Sequence, residues 1–423
     1  MIKIIKSGEL KQNGMKQEAA DDTSLRDCVA SIIDNVKKHG DEALVKYTKE
    51  FDKCSITDFE LSKAAIDEAA ATVDKEFIKV LEQAAQNIEE FHANQINTGF
   101  DLLPKDGVIL GQKVTPISRV GCYIPGGSAP YFSSVLMNCI PAKIAGVKEI
   151  IIVTPPSKNG VDPRILAAAK IAGVDRVFTV GGAQAIAALA FGTETIPCVD
   201  KITGPGNAYV TEAKRQVFGI VGIDMIAGPS DVLVIADKTA DPVYIAADML
   251  AQCEHGKDSY AVLITDNMTL AKKVRAEIET QLPALPRKDI AKFAINNNSL
   301  IILTDTMEEA FDISNERAPE HLEILLEEPF NYLSKVINAG SIFLGKHTPE
   351  TLGDYMAGPN HTIPTGGTAR FSSPLSVDDF VKKSSYIYFS EDAINKKGAD
   401  AIRFAKEEGL HGHALAVEKR LKG

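Results

Sequence analysis

A chain of 423 residues with 45% hydrophobic and 24% charged side chains is ordinary globular material. Its length suits two or three domains, and a disordered or collagen-like polypeptide is excluded. Against 57 Asp and Glu stand 46 Lys and Arg, a formal charge of −11, opposite in sign to the basic footprint of a nucleic-acid-binding protein.

The small N-terminal arm, residues 1–22, is expected to be helical; it has no apolar core long enough for a signal peptide, and no stretch reaches about 18 uninterrupted apolar residues. The cysteines at 28, 54, 122, 139, 198 and 253 form no CxxC pair, so a zinc ribbon or thioredoxin-type motif is absent. Scattered free thiols fit a reducing compartment, and a soluble cytoplasmic protein is expected.

Residues 23–97 read as helix. Thr23 and Ser24 offer an N-cap, Val29, Ile32, Ile33 and Val36 recur at helical spacing before Gly40, and a second helix starts at Asp41. From Ser62 to Gln95 a long amphipathic stretch carries Ile66, Val73, Phe77, Val80, Leu81 and Ile88 on a core-facing stripe. Residues 102–124 alternate short β-prone runs with turn residues, as in a hairpin or meander.

From 149 onward strands alternate with helices. EIIIVT (149–154), RVFTV (176–180) and KIT (201–203) each precede a helix. A second series begins at DVLVIAD (231–237) and continues with YAVLITD (260–266) and SLIILTD (299–305). Near-continuous Val/Ile/Leu strands between helices predict parallel sheets covered on both faces. The break at Ala227-Gly228-Pro229 divides two related, Rossmann-like α/β domains. A strand at 380–389 and helices to 421 form a tail too small for its own core, which is expected to dock elsewhere.

Three glycine turns feed helix N-termini: Tyr123-Ile-Pro-Gly126-Gly127-Ser128, Gly181-Gly182-Ala-Gln184 and Gly204-Pro-Gly206-Asn207. A helix N-terminus suits a phosphate, and glycine allows close approach, although none of the three is GxGxxG. Polar side chains gather in the second half. Gln252 and His255 stand three apart on a predicted helix and can share a face. Glu320-His321 follow Arg-Ala-Pro, Asp354 lies in a Gly-Asp-Tyr loop, His361 follows Gly-Pro-Asn, and Glu408, His411 and His413 close the chain. Imidazole and carboxylate are ordinary zinc ligands and an amide oxygen is an unusual one, so spacing alone leaves a metal site open. His39, His92 and His347 read as core or surface residues.

IDMIAGPSD (223–231), AQCEHG (251–256), RAPEHLEI (317–324), GDYMAGPNHTIPTGG (353–367) and EGLHGH (408–413) together resemble the histidinol dehydrogenase family. VGGAQAIAALAFGT (180–193) and ITGPGNAYVTEAKRQV (202–217) strengthen the resemblance, which runs from about residue 25 to the C-terminus. It implies a zinc- and NAD-dependent enzyme that oxidises L-histidinol through L-histidinal to L-histidine, the last two steps of histidine biosynthesis. Carried over position by position, the zinc ligands would be Gln252, His255, Asp354 and His413, with one Zn2+ per subunit. The family pattern Glu-Gly-Leu-x-x-His selects His413 over His411. His321 and Glu320 would be the catalytic pair, and both can serve only if the chain turns beside Pro319. Ser230, His361 and Glu408 would contact substrate together with His321 and the zinc ligands, and Tyr123, Gln184 and Asn207 would contact NAD.

The resemblance also implies a domain-swapped homodimer in which the tail, 376–423, completes the neighbour's site. The expected division places the zinc and substrate site on 23–122 with 230–375 and the NAD site on 123–229. Asp231 stands where the family usually has Glu, which predicts altered packing near Ser230 rather than lost activity. Cys122 and Cys253 flank motif residues and read as small buried side chains. The nearest rival is a related zinc/NAD-dependent dehydrogenase of another alcohol, such as a sulfonated diol. A zinc hydrolase would leave the glycine turns without a task.

Overall fold

The structure, a computed structural model, describes residues 1–10, 23–56, 58–126 and 130–421. Most of the expected N-terminal arm and Gly127-Ser128 of the first glycine turn lie outside the described residues. In chain order the strands are β1 (Lys3–Lys6), β2 (Phe100–Asp101), β3 (Val108–Pro116), β4 (Arg119–Tyr123), β5 (Glu149–Val153), β6 (Arg176–Phe178) and β7 (Lys201–Thr203). They continue as β8 (Gly222–Ile223), β9 (Asp231–Ala236), β10 (Tyr260–Thr265), β11 (Leu300–Leu303), β12 (His321–Leu325), β13 (Ser341–Leu344) and β14 (Val381–Phe389).

Two all-parallel sheets carry the fold, as the strand–helix alternation predicts. The first has the order β6-β5-β4-β7-β8 and the second β1-β11-β10-β9-β12-β13. Without the edge strand β1, the second repeats the order of the first. Both faces of each sheet are covered, which is why the strands lack polar alternation. In β9, Val232 and Val234 pack with Met249 and Leu250, whereas Leu233 and Ile235 pack with Phe311 on the opposite face. The crossover helices Pro163–Ile171 and Pro242–Cys253 both begin Asp-Pro. Asp162 and Asp241 accept from the backbone N–H two residues on, each at 2.9 Å, while proline occupies the position that needs no N–H.

Three segments depart from the sequence-based expectation. The N-terminal arm was expected to be helical, but Lys3–Lys6 forms the parallel edge strand β1 against β11. Ile4 and Ile5 favour a strand, and the exposed flanking lysines suit a sheet edge. Residues 23–47, expected with the second α/β domain, pack on the first sheet. Val29, Ile32, Ile33, Val36 and Leu44 share a core with Phe178, Ile186 and Leu189. Amphipathic spacing identifies the buried face of a helix and leaves its partner undetermined. The Ala-rich helix Gly182–Phe191 provides that partner. Gly40 marks the break expected there: its φ of +49° interrupts the helical run, and a Cβ would lie 2.2 Å from a Glu194 carboxylate oxygen. That carboxylate accepts from Asp41 N at 2.8 Å, so both the backbone conformation and the neighbour require glycine.

The third departure is at 102–124, which is not one hairpin. β4 joins the parallel sheet, while β3 pairs antiparallel with β14 along nine residues, from Val381 opposite Pro116 to Phe389 opposite Val108. The tail is therefore part of a separate unit, residues 96–117 with 381–423, distinct from the unit of residues 1–95 and 118–380. It contains β2, β3, β14 and the helices Glu391–Glu407 and His411–Glu418, and it leaves Ile387 and Phe404 each 70% exposed. Among the described residues no helix is long and apolar enough to cross a membrane.

Candidate functional site

Adjacent parallel strands β9 and β12 bring their first residues together. The helix Met307–Arg317 ends at Ala318 with φ +50°, and Pro319 then directs the chain into β12. This turn resolves the adjacency of Glu320 and His321, which on a straight strand would face opposite ways. Both are buried, 6% and 5% exposed, and both close on Asp231. Glu320 Oε2 accepts from Asp231 N at 2.8 Å, and His321 Nδ1 lies 3.1 Å from Asp231 O. A carbonyl only accepts, so Nδ1 carries a proton, and Nε2 has a free lone pair only while the ring is neutral. Nε2 is buried, has no hydrogen-bond partner, and stands 3.8 Å from Asp354 Oδ1.

Three carboxylates surround that imidazole. Glu320 Oε2 is 3.8 Å and Glu350 Oε2 3.5 Å from Nδ1, opposite Asp354 on the other nitrogen. Burial opposes the charged imidazole, but Glu320, Glu350 and Asp354 outweigh it and hold the His321 pKa well above the usual value. Burial pushes the Glu320 carboxyl up to about 8, against the pull of His321. For Asp354, burial is outweighed by His321, His361 and His255, which hold the carboxyl below its usual range.

The remaining expected ligands and contacts fall into distinct positions. Gln252 is buried at the end of the helix Pro242–Cys253. With its amide nitrogen toward Glu350 it donates to both carboxylate oxygens, at 2.9 and 3.0 Å, and its oxygen accepts from Asp231 N at 3.0 Å. His255 lies beyond the helix end in an exposed turn, so the two do not share one helical face as expected. Asp354 sits in the short helix Glu350–Tyr355 rather than a loop. Ser230 precedes Asp231, its carbonyl accepting from Tyr260 N at 3.2 Å. Glu408 and His413 are exposed in the second unit, where with Phe404 and Leu410 they line an open groove of about 800 Å³. Among the described residues no three His, Cys, Asp or Glu side chains are grouped closely enough to hold a metal ion.

A cavity of about 460 Å³ opens onto His321, Asp354 and His361, with Phe343, Phe91 and His92 also in its walls. Asn360 fixes the segment before His361 by donating to Met137 O at 2.6 Å and accepting from Thr362 N at 2.8 Å.

The glycine turns lie at the carboxyl ends of β4, β6 and β7. The strand order of the first sheet reverses between β4 and β7, the usual ligand crevice of an open α/β sheet. Tyr123 is buried, its hydroxyl accepting from Gly182 N at 3.1 Å. Gln184 is buried with Oε1 unpartnered. Asn207 caps the helix Ala208–Val217, accepting from Tyr209 N and Val210 N at 3.0 and 3.1 Å. Gly204 has φ +107°, and a Cβ there would lie 2.1 Å from Tyr123 O, so the protein's own backbone requires this glycine. A buried ion pair grips it as well. Lys214 Nζ bonds Asp224 and donates to Gly204 O at 2.9 Å, and Asp224 accepts from Gly204 N at 2.8 Å.

Sequence reasoning missed the central role of Asp231, noted there only as a shorter replacement for Glu. A carboxylate at the head of an otherwise apolar buried strand was the available signal. Glu350 and its backbone bond to Glu323 Oε1, at 2.9 Å, had no sequence signal. Cys122 and Cys253 are fully buried, and burial pushes the Cys253 thiol up to about 12, which disfavours a nucleophilic thiolate.

A family model described as histidinol dehydrogenase matches residues 15–421. A histidinol dehydrogenase from Bacillus cereus is 54% identical over 394 residues, 93% of this chain and 92% of the relative. One from Clostridium acetobutylicum is 50% identical over 428 residues, 100% of this chain and 99% of the relative. The crystal structure of histidinol dehydrogenase from Elizabethkingia anophelis superposes with a TM-score of 0.94 at 42% identity, covering 99% of this chain and 98% of that one.

Proposed function

The chain belongs to the histidinol dehydrogenase family, and on that premise we propose a two-step, NAD-dependent oxidation of L-histidinol through L-histidinal to L-histidine. The observation that carries this reading is the state of His321. Its Nδ1–H is committed to Asp231 O, its Nε2 is buried without a hydrogen-bond partner, and the residue lines a cavity together with Asp354 and His361.

Gln252, His255 and Asp354 would hold zinc with His413 of a second subunit. Amide, imidazole and carboxylate donors fit a zinc site. The exposed apolar side chains of the tail unit support its docking on a partner in a domain-swapped homodimer, with Glu408 beside the substrate. The repeated strand order supports two Rossmann-like halves, and the turns at Tyr123, Gln184 and Asn207 would receive NAD. When bound, zinc supplies a template for the substrate's amine and imidazole nitrogens, and NAD accepts one hydride in each step.

In the first step His321 Nε2 removes the hydroxyl proton of the alcohol. In the second, Glu320 draws a proton from the water that adds to the aldehyde, and His321 takes the proton of the resulting hydrate. A carboxyl raised to about 8 by burial is a stronger base than an ordinary carboxylate and takes this proton once ionised, so the step is favoured at and above that pH. The family match does not favour the sulfonated-diol reading.

The test counts NADH formed per histidinol consumed, in native protein and after chelation. Two NADH per substrate are expected, with activity lost on chelation and restored by zinc. One NADH would overturn the two-step reading, and full activity in zinc-free protein would overturn the metal assignment.

A further inference from the structure

Glu350 takes no part in the proton transfers, yet it is 2% exposed and begins the short helix Glu350–Tyr355 that carries Asp354. Four residues apart on a helix, the two carboxylates share a face. They flank one imidazole: Glu350 Oε2 is 3.5 Å from His321 Nδ1, and Asp354 Oδ1 is 3.8 Å from Nε2. The start of the helix is held in turn by Glu323, whose Oε1 accepts from Glu350 N at 2.9 Å. The Glu350 carboxylate then meets the Gln252 side chain, in a residue that is 1% exposed.

The two ends of a glutamine amide have nearly the same shape and opposite hydrogen-bonding character. A carboxylate only accepts, so Glu350 selects the donating end, and the Gln252 amide nitrogen reaches its two oxygens at 2.9 and 3.0 Å. The amide oxygen is thereby turned away from Glu350. Asp231 N, at 3.0 Å, takes one of its two lone pairs and leaves the other for a metal. The opposite orientation would present an NH2 group, which donates hydrogen bonds and does not ligate a cation. We propose that Glu350 is a positioning residue that fixes the Gln252 amide with its oxygen toward zinc, an inference that rests on reading Gln252 as a zinc ligand.

Zinc affinity, read by competition with a chromogenic chelator, tests the proposal without recourse to activity. Burial raises the Glu350 carboxyl to about 8, against the pull of His321, so the measurement is made at about pH 9, where it is ionised. Glu350→Gln keeps the size of the side chain but adds a donor, so either end of Gln252 can face it. Zinc is expected to bind about 10- to 100-fold more weakly, the usual cost of losing a group that orients a metal ligand. Glu350→Met, which fills the same space with no donor or acceptor for the amide, should lose a similar factor and serves if Glu350→Gln does not fold. Gln252→Glu presents an oxygen whichever way it turns, so adding either Glu350 substitution to it should weaken zinc no further. Equal losses in the two backgrounds would mean that Glu350 acts through its charge or the fold alone, and would overturn the proposal. Unchanged zinc affinity in the Glu350 variants would overturn it as well. A wild-type protein that binds no zinc, or Gln252→Ala binding it as tightly as wild type, would instead overturn the reading of Gln252 as a ligand.

Discussion

Replacing His321 with asparagine is expected to lower kcat for histidinol oxidation by about 10²- to 10⁴-fold, the usual contribution of a positioned general base. Asparagine retains an N–H that can reach Asp231 O, so the beginning of β12 keeps its anchor while the free Nε2 is lost. Steady-state NADH formation measures the effect, and a loss smaller than tenfold would mean that another group takes the proton. The same variant tests the shared site. Mixed with His413→Ala subunits and allowed to exchange, it should form heterodimers in which one site carries both lesions and the other neither. Random pairing of a two-fold dimer would restore about a quarter of wild-type activity. A mixture as inactive as its parents would place His413 in the same subunit's site, or outside it.

What the sequence disclosed about this molecule follows the range of each physical signal. A strand covered on both faces must be apolar throughout, so β5, β9 and β10 were legible as Val/Ile/Leu runs without knowledge of their neighbours. Pairings between distant segments were not. β3 and β14 are separated by more than 260 residues, and nothing local in either names the other. The helix Thr23–Tyr47 showed its buried stripe but not the sheet it covers. The proposed catalytic pair, Glu320 and His321, was suggested by motif resemblance, whereas its geometry depends on the left-handed backbone at Ala318, a position where glycine would have been the visible cue. Asp231, Gln252 and Glu350 come from three different elements and meet only in the folded chain. The place of the site was also hidden. The rule for open α/β sheets points to the carboxyl ends of strands, where the glycine turns of the first sheet do lie. Glu320, His321 and Asp231 instead occupy the amino ends of β12 and β9.

Loss of the Asp224 carboxylate is expected to destabilise the protein by about 3–5 kcal/mol, as for other buried ion pairs that lose one partner. Asp224 and Lys214 are 1% and 3% exposed, so neither charge can turn to water when its partner is removed. Asp224 also accepts from Met225 N at 2.6 Å and from Gly204 N at 2.8 Å, and Lys214 donates to Gly204 O. Asp224→Ala therefore strands a buried ammonium and two backbone donors, whereas Asp224→Asn keeps an acceptor and should cost less. Denaturant unfolding of both variants, and of Lys214→Met and the double variant, measures the coupling. The double variant should be less damaging than the sum of the single ones, because the stranded charge is gone. Additive losses would mean that the two side chains act separately. The consequence for function is local, since the pair fixes both backbone groups of the turn that leads to Asn207. If NAD lies against this turn, KM for NAD should rise in Asp224→Asn under conditions where the protein remains folded, and KM for histidinol should not. An unchanged KM for NAD would remove the Gly204–Asn207 turn from the cofactor site and leave the ion pair as a support of the fold alone.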